Sequence, residues 1–432
     1  MEFSLAIRRE DKNQWERRTP IVPDDVKKLK DKYQINTILQ PSKIRAFKED
    51  EYKKAGAEIN EDLSSANVIF AVKEIPKELF EKGKTYAFFS HVIKGQKYNM
   101  PMLKKMMELK CNLIDYEKIV DSNNKRLVFF GRYAGLAGMI DSLWAFGKIL
   151  QKKGYNSILN QLKQTIEYKD LDEVKKSYEN ISKIIKKDGL PSDICPVVVG
   201  FAGYGNVSKG AQEILDLLPV KEISPDDISD IKNNHSKNMI YKVVFKEENM
   251  VKPRSSENKF ELNDYYNNPE RYISKFEEFI PNLSILMNCI YWDNRYPRLI
   301  TKKFIHENFD EKFKLSVIGD ISVDVNGAVE ITEKITNPGK PVFTYNPKTK
   351  SISDEIKPDG ISVMAVDNLP CELPKESSTE FSKSLFDFIS SMVKADYNAD
   401  FEEFNLPKEV KNAVILYHGK LTPSYQYINN YL

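Results

Sequence analysis

The chain has 432 residues, 41% of them hydrophobic and 30% charged, enough for two or three domain cores and too apolar for a disordered tail. Its 65 Lys and Arg nearly balance 63 Asp and Glu, so the basic excess that marks a nucleic-acid binder is missing. No stretch nears the roughly 20 apolar residues of a membrane helix, and the opening MEFSLAIRREDKNQW has neither an apolar secretory core nor a clear targeting segment, so a soluble intracellular protein is expected, cytoplasmic or in the mitochondrial matrix, with no nucleic acid and no membrane as partner.

Apolar patterning predicts strands at Phe3–Ile7, Asn36–Leu39, Val68–Val72, Tyr86–Phe89 and Asn112–Ile114. They alternate with predicted helices at Pro23–Tyr33, Asp50–Ala57 and Met100–Leu109. Such alternation over short links makes a mostly parallel sheet covered by helices. Residues 134–153, AGLAGMIDSLWAFGKILQKK, then predict a long apolar helix whose small residues permit close approach, joining two domains. The charged stretch 160–190 reads as an exposed helical pair. A second α/β unit starts with the strand Pro196–Val199 and continues with strands at Ser284–Ile290, Leu315–Ile318 and Ser362–Val366. Polar residues 224–275 read as an excursion from its core. The last 60 residues read as one helix, about 376–394, and a short tail. Cys111, Cys195, Cys289 and Cys371 have no metal-ligand spacing and read as free thiols, so no metal is expected.

Chemistry-bearing residues cluster at predicted strand ends. Trp15-Glu16-Arg17-Arg18 follows the first strand, and adjacent arginines suit bidentate clamping of carboxylates as well as a surface ion pair. Lys73 and His91 end two successive strands, with Glu74 and Glu117 as local anions. Ligands of open α/β sheets bind outside carboxyl strand ends, where a Lys–His pair suits proton transfer near neutral pH; solvated strand ends are the alternative. Arg126 and Arg132 flank Leu127–Phe130 as further carboxylate binders.

In the second unit an apolar strand runs into Gly200-x-x-Gly203-Tyr204-Gly205-Asn206-Val207 and then an amphipathic helix. Glycines there admit a pyrophosphate to the backbone at a helix N-terminus, although the spacing departs from GxGxxG and an ordinary tight turn is the alternative. Glu222, about 20 residues on, is placed to accept ribose hydroxyls and favour NAD, while Lys221 and the lysines beyond it point to NADP. The strand ends carrying Cys289, Ile290, Tyr291 and Asp320 face a bound nicotinamide in this reading; for Tyr291 a domain-interface core is the alternative.

The segments LAIRREDKNQWERRTPIVP, FAVKEIP, FFSHVIKGQ, FFGRYAGLAGMID, GFAGYGNVSKGAQEI, NCIYWDNRYPRLIT, GDISVDVNGAVEIT and MAVDNLPCELPKESSTEF together resemble the lysine–2-oxoglutarate reductase half of aminoadipic semialdehyde synthase. That group is related to L-lysine-forming saccharopine dehydrogenase and to the alanine dehydrogenase/transhydrogenase superfamily. The resemblance covers nearly the whole chain and ends where the bifunctional proteins continue, so a free-standing reductase is expected. It implies an α/β fold of two Rossmann-like domains whose parallel sheets flank a cleft. Residues 1–133 with the C-terminal helix, about 371–432, would bind substrate, and 134–370 would bind dinucleotide.

The resemblance also implies roles. Lys73 and His91 match the family's acid/base pair, Arg18 and Arg126 its carboxylate binders, and Glu117, Glu74 and Glu16 the acidic groups that tune the site. Asp320 matches a residue beside the nicotinamide. The implied reaction condenses L-lysine with 2-oxoglutarate and reduces the imine to saccharopine, with NADPH as the implied cofactor and NADH as the alternative. Two other readings remain: an amino-acid dehydrogenase of the alanine type, and a non-catalytic dinucleotide- or metabolite-binding regulatory homologue. The intact set Arg18, Lys73, His91 and Arg126 speaks against the last.

Overall fold

Short apolar runs, buried on both faces in the middle strands and more exposed at the edges, build two sheets. The computed structural model describes residues 3–310 and 312–432. It divides into two units, Met1–Phe130 with Pro374–Leu432, and Gly131–Leu373.

In the first unit six strands run parallel: β1 (Phe3–Ile7), β2 (Ile35–Leu39), β3 (Glu58–Ile59), β4 (Val68–Phe70), β5 (Thr85–Phe88) and β6 (Asn112–Asp115). Their order is β3-β2-β1-β4-β5-β6. The chain reverses its direction of travel between β1 and β4, and that switch point opens a crevice at the carboxyl ends. Helix α1 (Pro23–Tyr33) begins at a proline, carries Asp24 and Asp25 in its first turn, and stops at Gln34, whose φ is 57°. Helix α2 (Met100–Glu108) buries Met102, Leu103 and Met106. The predicted tail is instead a hairpin: Val414–Tyr417 pairs antiparallel with β6, and Lys420–Leu421 closes that edge. Two serines of the helix Pro374–Lys394 tie down the loop after β1. Ser378 Oγ accepts from the Thr19 N–H at 3.0 Å, and Ser382 Oγ accepts from the Val22 N–H at 3.1 Å.

The second unit starts with helices α3 (Gly131–Lys152) and α4 (Leu171–Asp188). Then come β7 (Val198–Ala202), helix α5 (Asn206–Leu215), β8 (Val220–Glu222), β9 (Ile240–Phe245), β10 (Ile285–Asn288), β11 (Val317–Asp320), β12 (Val342–Asn346), β13 (Ser351–Ser353) and β14 (Ile361–Met364). The sheet order is β8-β9-β7-β10-β11-β14-β12-β13. Only β12 runs against its neighbours, so both sheets are parallel in the middle and mixed at one edge. No helix among the described residues is long and apolar enough to cross a membrane.

Two expectations fail here. Stretch 160–190 holds one long helix, α4, not an exposed pair. Leu171, Val174, Tyr178, Ile181 and Ile185 form its buried stripe, at the three-and-four spacing that packs a helix face. Segment 224–275 is no excursion either, because it supplies β9, which lies between β8 and β7. Lys242 masks that strand in the sequence, yet its ammonium is held by Asp216 at 3.0 Å and Glu222 at 3.1 Å.

The small residues of α3 do what their size suggests. A Cβ on Gly135 would sit 1.9 Å from the Val207 carbonyl oxygen of α5, and one on Gly210 would sit 2.1 Å from the Arg132 carbonyl oxygen. Gly135→Ala gains up to about 1 kcal/mol of helix propensity but forces backbone from backbone, an overpacking worth about 1–3 kcal/mol or more. A net destabilisation is expected, read as a lower denaturant midpoint with unchanged slope. A midpoint at or above wild type would show that α3 and α5 separate without cost.

Candidate active site

The carboxyl ends of β1, β4, β5 and β6 bring the first unit's predicted residues to one edge. Beyond β1, the Glu10 carboxylate accepts the N–H groups of Val72 at 2.7 Å and Lys73 at 3.0 Å, fixing the loop after β4. Burial, then the charge of Glu16, pushes Glu10 up to about 7 against those hydrogen bonds. Sequence reading passed over Glu10. It lies in the charged run Arg8–Lys12, and only its strand-end position marks it.

Lys73 follows β4. Burial lowers its pKa first, and the positive charges of Arg18 and Lys12 lower it further, against Glu16 and Glu74. Its amine therefore sheds a proton more readily than an ordinary lysine. Glu74 has two partners: Oε1 lies 2.6 Å from His91 Nδ1, and Oε2 lies 3.1 Å from Lys12 Nζ. Burial alone would raise Glu74, but His91 and Lys12 outweigh it and keep the group ionised. A carboxylate can only accept, so it fixes the Nδ1–H tautomer and leaves His91 Nε2 able to take a proton.

His91 adopts a left-handed backbone, φ 49°, an uncommon state for a residue with a side chain. Asn99 Nδ2 holds it there by donating to the Ser90 and His91 carbonyls at 2.9 and 3.2 Å. Ser90 bonds to the buried Asp115, whose other oxygen accepts the Glu117 N–H at 2.8 Å. Glu117 in turn contacts Arg126. Asp115, Ser90 and Asn99 thus position predicted residues that sequence reading named without their supports.

The two arginines differ in a way the sequence did not show. The Arg126 side chain is 51% exposed and open to an added carboxylate. Arg18 is buried, with Nε 2.7 Å and Nη2 2.5 Å from the two oxygens of Glu16, and its guanidinium lies 4.3 Å over the Phe130 ring. Arg18 therefore stands as one half of a buried bidentate pair, not as an open clamp.

In the second unit β7 runs into Gly203, whose φ is 96°. A Cβ there would meet Ile290 Cγ2 at 3.0 Å and the Cys289 carbonyl oxygen at 3.3 Å, so the turn and the residues after β10 touch. A Cβ on Gly205 would meet nothing within 4 Å. The protein itself does not require a glycine at that point, which leaves the backbone at the start of α5 open to approach. No side chain caps that helix start, and its first N–H groups suit a pyrophosphate. Tyr204, Asn206 and Val207 belong to this turn. Tyr291, just past β10, is 73% exposed. Asp320, at the end of β11, is buried and accepts from Asn288 Nδ2 at 2.8 Å and Thr332 Oγ1 at 2.6 Å. Burial pushes it up to about 6, and its contacts fix the loop that follows.

Glu222 is not at the level the 20-residue spacing suggests. Its strand, β8, is the outermost of the sheet, and Glu222 pairs with Lys242, which lies opposite Val199. The carboxyl-end rung is Ala202 with Phe245, and Gly203 N–H donates to the Phe245 carbonyl at 3.0 Å. The acid next to the glycine turn is therefore Glu247, two residues past β9. Its Oε1 accepts from Tyr266 Oη at 2.6 Å, and its charge, after burial, raises the phenol of Tyr204 in the turn itself. The available signal is an acid two residues past an apolar run broken only by Lys242.

The N-terminal domain of the alanine dehydrogenase/PNT family matches residues 6–137, and the C-terminal domain of the same family matches residues 273–424. The chain is 36% identical over 441 residues to alpha-aminoadipic semialdehyde synthase of Arabidopsis thaliana, covering 98% of this chain but 41% of that protein. It thus spans less than half of that relative. It is 25% identical over 398 residues to saccharopine dehydrogenase (NAD(+), L-lysine-forming) of Yarrowia lipolytica, covering 88% and 90% of the two chains. Among solved structures, an L-alanine dehydrogenase superposes with a TM-score of 0.64 over 99% of both chains at 16% identity, a likeness of fold.

Proposed function

The chain belongs to the alanine dehydrogenase/PNT family, and we propose that it is a nicotinamide-dependent oxidoreductase that condenses L-lysine with 2-oxoglutarate and reduces the product to saccharopine. The observation that carries this reading is the Glu74–His91 pair beside Lys73 at the switch point of the first sheet. Similarity to the plant and fungal proteins along nearly the whole chain supports the substrate assignment.

In this reading His91 Nε2 accepts a proton from the substrate's ε-ammonium, with Glu74 stabilising the imidazolium through Nδ1. The freed amine adds to the ketone. Lys73, in its ammonium form, protonates the oxygen that leaves as water. Reduced nicotinamide supplies the hydride. Gly203, Gly205 and the start of α5 hold its pyrophosphate, and Glu247 accepts the adenosine ribose hydroxyls. A carboxylate there repels a 2′-phosphate, which favours NADH over the NADPH implied by family resemblance.

Arg126 holds a carboxylate of 2-oxoglutarate. Arg126→Ala should raise its apparent KM about tenfold, the low end of a charge-assisted hydrogen bond because the group is half exposed, while the nucleotide KM stays constant. A wild-type KM for 2-oxoglutarate would place its carboxylates elsewhere.

The deciding assay follows nucleotide absorbance with lysine, 2-oxoglutarate, or both. Oxidation that requires both substrates is expected. Turnover with pyruvate and ammonia would make the chain an alanine-type dehydrogenase. Nucleotide binding without turnover on any of these would make it a regulatory homologue.

A further inference from the structure

The second unit holds a cavity of about 610 Å³ at the opposite end of its sheet from the glycine turn. Ser284 and Ser316, which line it, immediately precede β10 and β11, so it lies at the amino ends of the strands. At about 3.3 Å per residue, a four- or five-residue strand separates the two places by roughly 15 Å. The volume falls within the usual range of small-molecule sites.

Lys153, Lys232, Lys312 and Lys314 surround this cavity, and Phe146 and Phe313 give it an apolar wall. Two carboxylates also line it, Asp193 and Asp310. Asp310 is engaged by the Lys312 backbone N–H at 2.8 Å. None of the four lysines forms an ion pair among the described residues, although surface lysines elsewhere, such as Lys163 and Lys175, do. Lys314 is half-buried. Burial lowers its pKa first and the charge of Lys232 lowers it further, while Lys153 is lowered by partial burial alone. Four ammonium groups against two carboxylates leave the described lining with an excess of positive charge, which an anion would offset.

We infer that this cavity binds a small phosphorylated organic anion, with its phosphate among Lys232, Lys312 and Lys314 and its body against Phe146 and Phe313. Lysines serve phosphate as mobile point charges. The size of the cavity exceeds what an inorganic ion needs and leaves room for a ring. The site is separate from the dinucleotide turn and stands whether or not the proposed reaction is correct.

Pyridoxal 5′-phosphate is a suitable probe, because its aldehyde condenses with a neutral lysine amine, releasing water, and borohydride then fixes the imine for peptide mapping. The protein is kept saturated with NADH so that the glycine turn is filled. Lys314 or Lys153 is expected to react on the order of tenfold faster than exposed Lys27. In the Lys232→Glu/Lys312→Glu variant that advantage should vanish while Lys27 reacts as before; Lys232→Gln/Lys312→Gln should fall between. Both residues are exposed, and an unchanged melting temperature confirms folding. Reaction of Lys153 and Lys314 at the rate of Lys27, or at a wild-type rate after charge reversal, overturns the assignment.

Discussion

Lys73→Met is expected to lower turnover by about 10²–10⁴-fold, the usual worth of a positioned proton donor or acceptor, while NADH affinity stays at the wild-type value. Methionine keeps the unbranched stem that packs beside β4 and removes only the amine. The backbone is insured separately, because Glu10 holds the Lys73 and Val72 N–H groups regardless of side chain. Lys73 and the glycine turn belong to different units, so a fluorescence titration with NADH reports on folding independently of chemistry. The pH profile adds a second readout. The amine's ionisation lies below the ordinary lysine value because of burial, Arg18 and Lys12, and the limb it produces should be missing from whatever activity remains. Equal losses of turnover and NADH affinity would point to misfolding, and a wild-type rate would remove Lys73 from the chemistry.

The central strands of the first sheet are legible as apolar runs that end in polar or charged residues, whereas the two-residue β3, Glu58–Ile59, carries no such run. Val68–Phe70 followed by Lys73–Glu74, and Thr85–Phe88 followed by Ser90–His91, announce both a strand and the edge where polar groups emerge. The supports were not readable, since Glu10, Asn99 and Asp115 act across 62, 8 and 25 residues of sequence. Nor does composition distinguish Arg18 from Arg126. One is sealed against Glu16 and Phe130, while the other is half exposed and paired with Glu117. The second sheet misled at its polar side, where a lysine in mid-strand hid β9. Spacing from the glycine turn then pointed to the third strand from β10 instead of the one beside β7.

The proposed role of Glu247 in cofactor choice is tested by Glu247→Ser. A hydrogen bond to a charged group contributes about 1.5–3 kcal/mol, so losing the carboxylate should raise the KM for NADH about tenfold to a hundredfold. The same change removes a negative charge from the place a 2′-phosphate would occupy, so the KM for NADPH should fall. The preference between the two nucleotides should therefore move by more than either constant alone. The hydrogen bond from Tyr266 is lost as well, but it lies at the surface and its loss affects both nucleotides alike. Glu222→Gln is the matched control. Its carboxylate sits on the Val199 rung, three short of Ala202, and is occupied with Lys242. Glu222→Gln should leave the nucleotide preference unchanged. A preference that moves with Glu222 and ignores Glu247 would return the ribose to the outer strand and would mean that the strand beside β7 does not set cofactor choice in this chain.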